Sequence, residues 1–189
     1  FERFKRAEII NEAEKRYIFG RITSLGESVY KKTMQVKSQW TKTPSFEEAY
    51  SYRWDTTGLL SDVVADIWCI FAKVPDDLRV KTREVTKRLG MLFQFRDDLI
   101  DLQEDSDMDG NLALAVLNEE NEKDSLLKSI KNLKSKTNLI KLMKIHSPRS
   151  FNRIMDYIKK ELEAIQEQSP DTALRLTNLM KLAIHKITL

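Results

Sequence analysis

The sequence predicts an all-α fold. Three observations carry this expectation. Glycine and proline number only five and four among 189 residues, too few to punctuate many short strands. Apolar residues recur at helical spacing along most of the chain. No stretch shows the apolar–polar alternation of a half-buried strand.

The elements follow in order. Residues 1–39 read as one helix, with Ile9, Ala13, Tyr17 and Ile18 at helical spacing and Gly20 and Gly26 as candidate kinks. Thr41-Lys42-Thr43-Pro44-Ser45 reads as a loop. Ser45, with Glu48 three residues on, forms a capping-box pattern for a helix ending near Asp55. A second, more apolar helix covers residues 56–72 and stops at Lys73-Val74-Pro75. Asp76 or Asp77 is expected to cap the next helix, which runs to about Leu102. An acidic loop over residues 104–110 precedes helices over 112–117, 122–134, 139–145 and 151–168. A last helix is expected over 171–186, behind Ser169-Pro170. The lysine-rich residues 128–144 read as a solvated face rather than an acidic-ligand patch.

Composition excludes several functions. A hydrophobic share of 41% and a charged share of 32% suit a globular chain, not a disordered one. A net charge of +3 gives no footprint for nucleic acid. No apolar run reaches the roughly 18 residues of a membrane span. The single cysteine, Cys69, lies in an apolar run and reads as an inert buried thiol in a reducing, cytoplasmic compartment. No signal peptide is seen, and the chain opens on Phe1, which predicts an incomplete N-terminus.

The informative segment is Leu89-Gly90-Met91-Leu92-Phe93-Gln94-Phe95-Arg96-Asp97-Asp98-Leu99-Ile100-Asp101-Leu102. At about 100° per residue, Gln94, Asp97, Asp98 and Asp101 share one stripe of a helix that is otherwise largely apolar. A helix of that kind is expected to be central and buried, with its acidic stripe facing a deep cavity. The carboxylates repel one another and need positive charge. Two sources remain open. One is a divalent cation: Mg²⁺ takes hard oxygen ligands, and Asp97 and Asp101, one turn apart, can reach one ion. The other is a salt-bridge network with neighbours such as Arg96 and Lys87. Asp62 and Asp66, by contrast, read as solvent-facing or capping groups. A di-iron bundle is excluded, because neither His146 nor His185 has a Glu three residues before it.

The string from Gly90 to Asp101 resembles G-x-x-F-Q-x-x-D-D-x-x-D, the second aspartate-rich motif of trans-isoprenyl diphosphate synthases, at every fixed position. Thr56-Thr57-Gly58-Leu59-Leu60 resembles the family's Lys-Thr-Gly/Ala-x-Leu, and Gly26-Glu27 its upstream Gly-Gln or Gly-Glu. The likeness covers about residues 17–112. It implies an isoprenoid-synthase-type helical bundle around a central cavity, with residues 1–189 as the C-terminal portion of one such domain. It implies a Mg²⁺-dependent transferase that condenses an allylic diphosphate with isopentenyl diphosphate, acting as a homodimer. By the same resemblance Asp97, Asp98 and Asp101 are metal ligands, Asp97, Asp98 and Gln94 carry the catalysis, and Thr57, Gln94 and Phe93 line the substrate site.

The chain departs from the family pattern in three places. No first aspartate-rich motif precedes the second. Thr56 stands where the family has lysine. Asp109-Gly110-Asn111-Leu112-Ala113 lacks the Gly-Lys and Thr-Leu-Pro that usually follow the motif. These departures keep two alternatives in view: a non-catalytic or degenerate synthase subunit, and an unrelated helical binding module.

Overall fold

The computed structural model describes residues 10–39, 44–104, 110–131 and 139–169. Among them the chain is helical throughout, with eight α-helices and no strand. The expected helix over 171–186, the end of the 122–134 helix, most of the acidic loop and the start of the first helix lie outside the described residues.

α1 spans Glu12–Gln39 without a break at Gly20 or Gly26. Its start is set locally: Asn11 Oδ1 accepts from the Glu14 amide at 2.9 Å, and Glu14 Oε2 accepts from the Asn11 amide at 2.8 Å. None of its described side chains is fully buried, so the apolar spacing read from the sequence does not form a core face.

α2 (Phe46–Arg53) starts with the capping box expected from Ser45 and Glu48. It does not stop near Asp55. Residues Trp54–Gly58 form a π-helical turn that runs directly into α3 (Leu59–Phe71). Thr56, Thr57 and Gly58 are weak helix formers, and a widened turn accommodates them where a regular helix would be strained. The Thr56 hydroxyl donates to the Tyr52 carbonyl at 2.8 Å.

α3 is closed off just past its end by Lys73, in the left-handed region at φ 54°, with the Val74 amide reaching back to Cys69 O at 2.9 Å. Cys69 is buried, as expected. α4 (Asp76–Glu104) begins one residue earlier than a cap at Asp76 would allow: Pro75 O accepts from the Arg79 amide, and Asp76 and Asp77 sit in the first turn, where carboxylates meet the positive helix end. α5 (Leu112–Glu119), α6 (Lys123–Lys131), α7 (Leu139–His146) and α8 (Pro148–Gln168) complete the chain.

α4 is the spine, packing against α3, the π turn, α5 and α8. α5 is the best-covered element, with Leu112 through Leu117 all buried. An aromatic cluster ties α2, α4 and α8 together: Phe46 lies 4.1 Å from Tyr157 and 6.1 Å from Phe95, centroid to centroid. Carboxylates from neighbouring segments cap three helix N-termini. Glu119 accepts from the Phe46 amide of α2, Asp98 from the Leu112 amide of α5, and Glu122 from the Ser150 amide of α8. One face stays open: Leu60, Val64, Trp68 and Phe71 form an exposed apolar stripe along α3, with Trp68 69% exposed. No described helix is long and apolar enough to cross a membrane.

Candidate active site

The motif lies in the second half of α4. Where α4 crosses the α3 region it carries Gly90, and a Cβ there would stand 2.9 Å from Ser61 Cβ and 3.3 Å from the Thr57 carbonyl oxygen. Glycine therefore sets the approach of α4 to the π turn. One turn later the approach is used. The Thr57 hydroxyl donates to Gln94 Oε1 at 2.8 Å, and Gln94 Nε2 donates to Asp98 Oδ1 at 2.6 Å. Asp98 Oδ2 accepts the Leu112 amide at 2.6 Å, and Asn111 Nδ2 donates to the Asp98 carbonyl at 2.8 Å. Arg53 approaches Asp98 Oδ1 to 3.7 Å while its Nε holds Gly110 O at 3.1 Å.

Asp98 is fully buried. Burial pushes its carboxyl up to about 6, against the lowering pull of the Leu112 amide, Arg53 and Gln94; Asp101 adds to the rise. What meets this carboxylate is the N-terminus of α5, capped by Asn111, with an amide and a distant guanidinium in support. Of the two cations named from the sequence, neither pairs with Asp98 among the described residues. Arg96 pairs with Asp97 instead, at 3.1 Å, and Lys87 lies over the Trp54 ring at 4.2 Å.

The three aspartates do not converge. Adjacent residues on a helix point about 100° apart, so Asp97 and Asp98 occupy opposite margins of the stripe. Asp98 turns inward to α5, Asp97 is exposed, and Asp101 is half-buried between them. Phe93, one turn before Asp97, is 55% exposed. Among the described residues the helix is thus not buried all round, and the stripe is open at Phe93 and Asp97. Among the described residues no group of three or more His, Cys, Asp or Glu side chains could hold a metal. Asp98 accepts one N–H on each oxygen, which leaves each oxygen a second lone pair. Asp97 and Asp101 are the more open carboxylates of the stripe, and one or two carboxylates are the usual protein share of a Mg²⁺ ion.

Residues 7–160 match the polyprenyl synthetase family. The chain belongs to that family. The match extends beyond both ends of the likeness read from the motifs. No curated protein and no solved structure matches the chain. The Thr57–Gln94–Asp98 chain therefore lies within the part of the chain that matches the family, and Asp98 is hydrogen-bonded to the start of α5.

A second acidic centre was not foreseen. Asp62 and Asp66 are buried, not solvent-facing. Arg79 Nε donates to Asp66 Oδ1 at 2.6 Å and Tyr17 to Oδ2 at 2.9 Å; Arg83 Nε donates to Asp62 Oδ1 at 2.8 Å, and Arg21 bridges both aspartates. Burial raises both carboxyls, but the arginine and tyrosine hydrogen bonds outweigh it and hold both below the usual carboxylate range. The signal available was the i,i+4 spacing of Asp62 and Asp66, with Arg79 and Arg83 equally spaced on α4.

Proposed function

We propose that the protein condenses an allylic diphosphate with isopentenyl diphosphate, in isoprenoid biosynthesis, with Asp97 and Asp101 holding Mg²⁺. The observation that supports this best is the Thr57–Gln94–Asp98 chain, which spends Asp98 on rigidity and leaves Asp97 exposed beside it. Mg²⁺ bound there would neutralise charge gathering on a departing diphosphate. Gln94 uses one amide N–H on Asp98 and keeps a second for a diphosphate oxygen. Phe93 offers apolar surface to a prenyl chain. In the reaction the allylic C–O bond breaks with its electron pair leaving on the diphosphate; the isopentenyl double bond forms the new C–C bond, and the product then loses a proton. The homodimer implied by the family resemblance is retained here, and the exposed stripe on α3 is apolar surface that a partner would cover.

A direct test is incorporation of labelled isopentenyl diphosphate into longer diphosphates, with allylic diphosphates of several lengths and Mg²⁺. Asp97→Asn is expected to lower kcat by roughly 10²-fold or more, as loss of one transition-state charge contact does. Equal turnover by wild type and variant would remove Asp97 from the mechanism.

One observation favours a second reading, a non-catalytic synthase subunit. Thr56, standing at the family's lysine position, is buried and bonded to its own helix, so that position offers no cation. Under this reading the chain binds Mg²⁺ and diphosphate in the same way but shows no turnover by itself.

A further inference from the structure

Arg53 belongs to none of the motifs read from the sequence; it is the last residue of α2. In the fold it is the counterpart of Thr57. Arg53 and Thr57 lie four residues apart on the helical run from α2 into the π turn, and Asp98 and Gln94 lie four residues apart on α4. The two pairs meet in antiparallel order. Thr57 donates to Gln94 at 2.8 Å, and a terminal nitrogen of Arg53 stands 3.7 Å from Asp98 Oδ1. Two links, one helical turn apart, thus join the elements.

The links differ in reach. Thr57 stops at α4. Arg53 goes on, because a guanidinium presents several N–H groups in one rigid fork. Its Nε donates to the Gly110 carbonyl at 3.1 Å. Gly110 lies in the left-handed region at φ 69° and immediately precedes Asn111, the cap of α5, whose side chain donates to the Asp98 carbonyl. One side chain therefore touches both the acidic stripe and the turn that starts α5. It is held before any ligand arrives: the Arg53 side chain is 20% exposed, and the Tyr52 ring lies 5.5 Å from its guanidinium. Gln94 and the Leu112 amide are the closer donors to Asp98, so the tighter of the two contacts made by Arg53 is the one to Gly110.

We propose that Arg53 is a positioning residue of the diphosphate site. It fixes the turn at Gly110 against α4, and so sets where Asp98 and the start of α5 stand relative to Asp97 and Asp101. It acts through Asp98 and the Gly110 carbonyl rather than by touching substrate. The proposal rests on the reading of the stripe as a Mg²⁺–diphosphate site.

The test is calorimetric titration of the full chain with inorganic pyrophosphate, with and without Mg²⁺, beside thermal melting without metal. Arg53→Gln is expected to weaken Mg²⁺-dependent pyrophosphate binding by about tenfold, the scale of losing one hydrogen bond to a charged group. Arg53→Lys is expected to recover part of that loss, because an ammonium keeps the charge but cannot span Asp98 and Gly110 as the fork does. Arg53→Lys is also expected to melt with wild type in the absence of metal, so a weakening of several-fold in this variant carries the test should Arg53→Gln fold poorly. Equal Mg²⁺-dependent binding by wild type and both variants would overturn the proposal. So would a weakening confined to variants that also melt below wild type without metal, which would make Arg53 a structural residue. A wild type that gains no pyrophosphate binding from Mg²⁺ would instead defeat the proposed function, and this role of Arg53 with it.

Discussion

Two regions of this molecule bury aspartate, and they do it by opposite means. Around Asp62 and Asp66, three arginines from α1 and α4 supply full positive charge and Tyr17 adds a hydrogen bond, and both carboxyls stay ionised more readily than in water. Around Asp98, the nearest donors are a glutamine and a backbone amide, with Arg53 only at 3.7 Å, and the carboxyl is pushed up to about 6. The first centre is a clamp: α1, which buries no described side chain fully, is held against α3 and α4 by charge rather than by core packing. The second is a positioning device that fixes α4 to the π turn and to α5. Burial alone therefore does not mark a carboxylate as functional; the kind of partner does.

The clamp carries the largest expected effect of substitution. Asp66→Ala strands Arg79 and leaves Arg21 half-paired, and about 3 kcal/mol of stability should be lost, the scale of breaking a buried pair from one side. Urea denaturation at neutral pH measures this; a loss below about 1 kcal/mol would reduce the clamp to an ordinary surface network.

The clamp was illegible in the sequence for a physical reason. Arg21 lies 45 residues from Asp66 and 41 from Asp62, and no local pattern brings them together. α3 is apolar on two faces, and only packing shows that Val63, Cys69 and Ile70 are buried while Leu60, Val64, Trp68 and Phe71 stay exposed. Local signals fared better. Ser45 and Glu48 cap α2 as their spacing requires, and the Gly90–Asp101 motif identified the family that residues 7–160 match. The division of Asp97 from Asp98 required α5, whose Leu112 amide lies 14 residues away from the carboxylate it meets.

Titration separates the two centres further. Asp98 in the metal-free protein has its folded-state value raised, so the native state holds the extra proton between about pH 4 and 6. Its contribution to stability is therefore greatest at low pH and falls as pH rises through that window, by on the order of 2 kcal/mol. Asp62 and Asp66 are lowered, so their contribution is present above about pH 4 and is lost as pH falls further. Asp98→Asn keeps an acceptor for the Leu112 amide, and the Thr57–Gln94 chain can reverse direction to meet the new amide. The variant should gain on wild type by roughly 2 kcal/mol between pH 4 and pH 7. A pH-independent difference between the two, measured by denaturation across that range, would contradict the raised value.

A smaller effect is expected at the crossing of α3 and α4. Gly90→Ala pushes Ser61 and the Thr57 backbone away and should cost about 1–2 kcal/mol, as overpacking does. It should also lengthen the Thr57–Gln94 hydrogen bond and thereby weaken diphosphate binding, which titration reads separately from stability. The smallest effect belongs to Asp97. It is exposed and, among the described residues, pairs with the exposed Arg96, so Asp97→Ala should change metal-free stability by under about 0.5 kcal/mol.

That last expectation leads to the most direct measurement. Thermal melting of wild type and Asp97→Ala is compared in pyrophosphate alone and in pyrophosphate with Mg²⁺. If Asp97 is the free arm of the motif and Asp98 its fixed one, the two proteins melt together without metal, and Mg²⁺ raises the wild type by mass action while adding little to the variant. A variant that melts well below wild type without metal, beside a wild type indifferent to Mg²⁺, would show that Asp97 serves the fold, and the account of this site would fail.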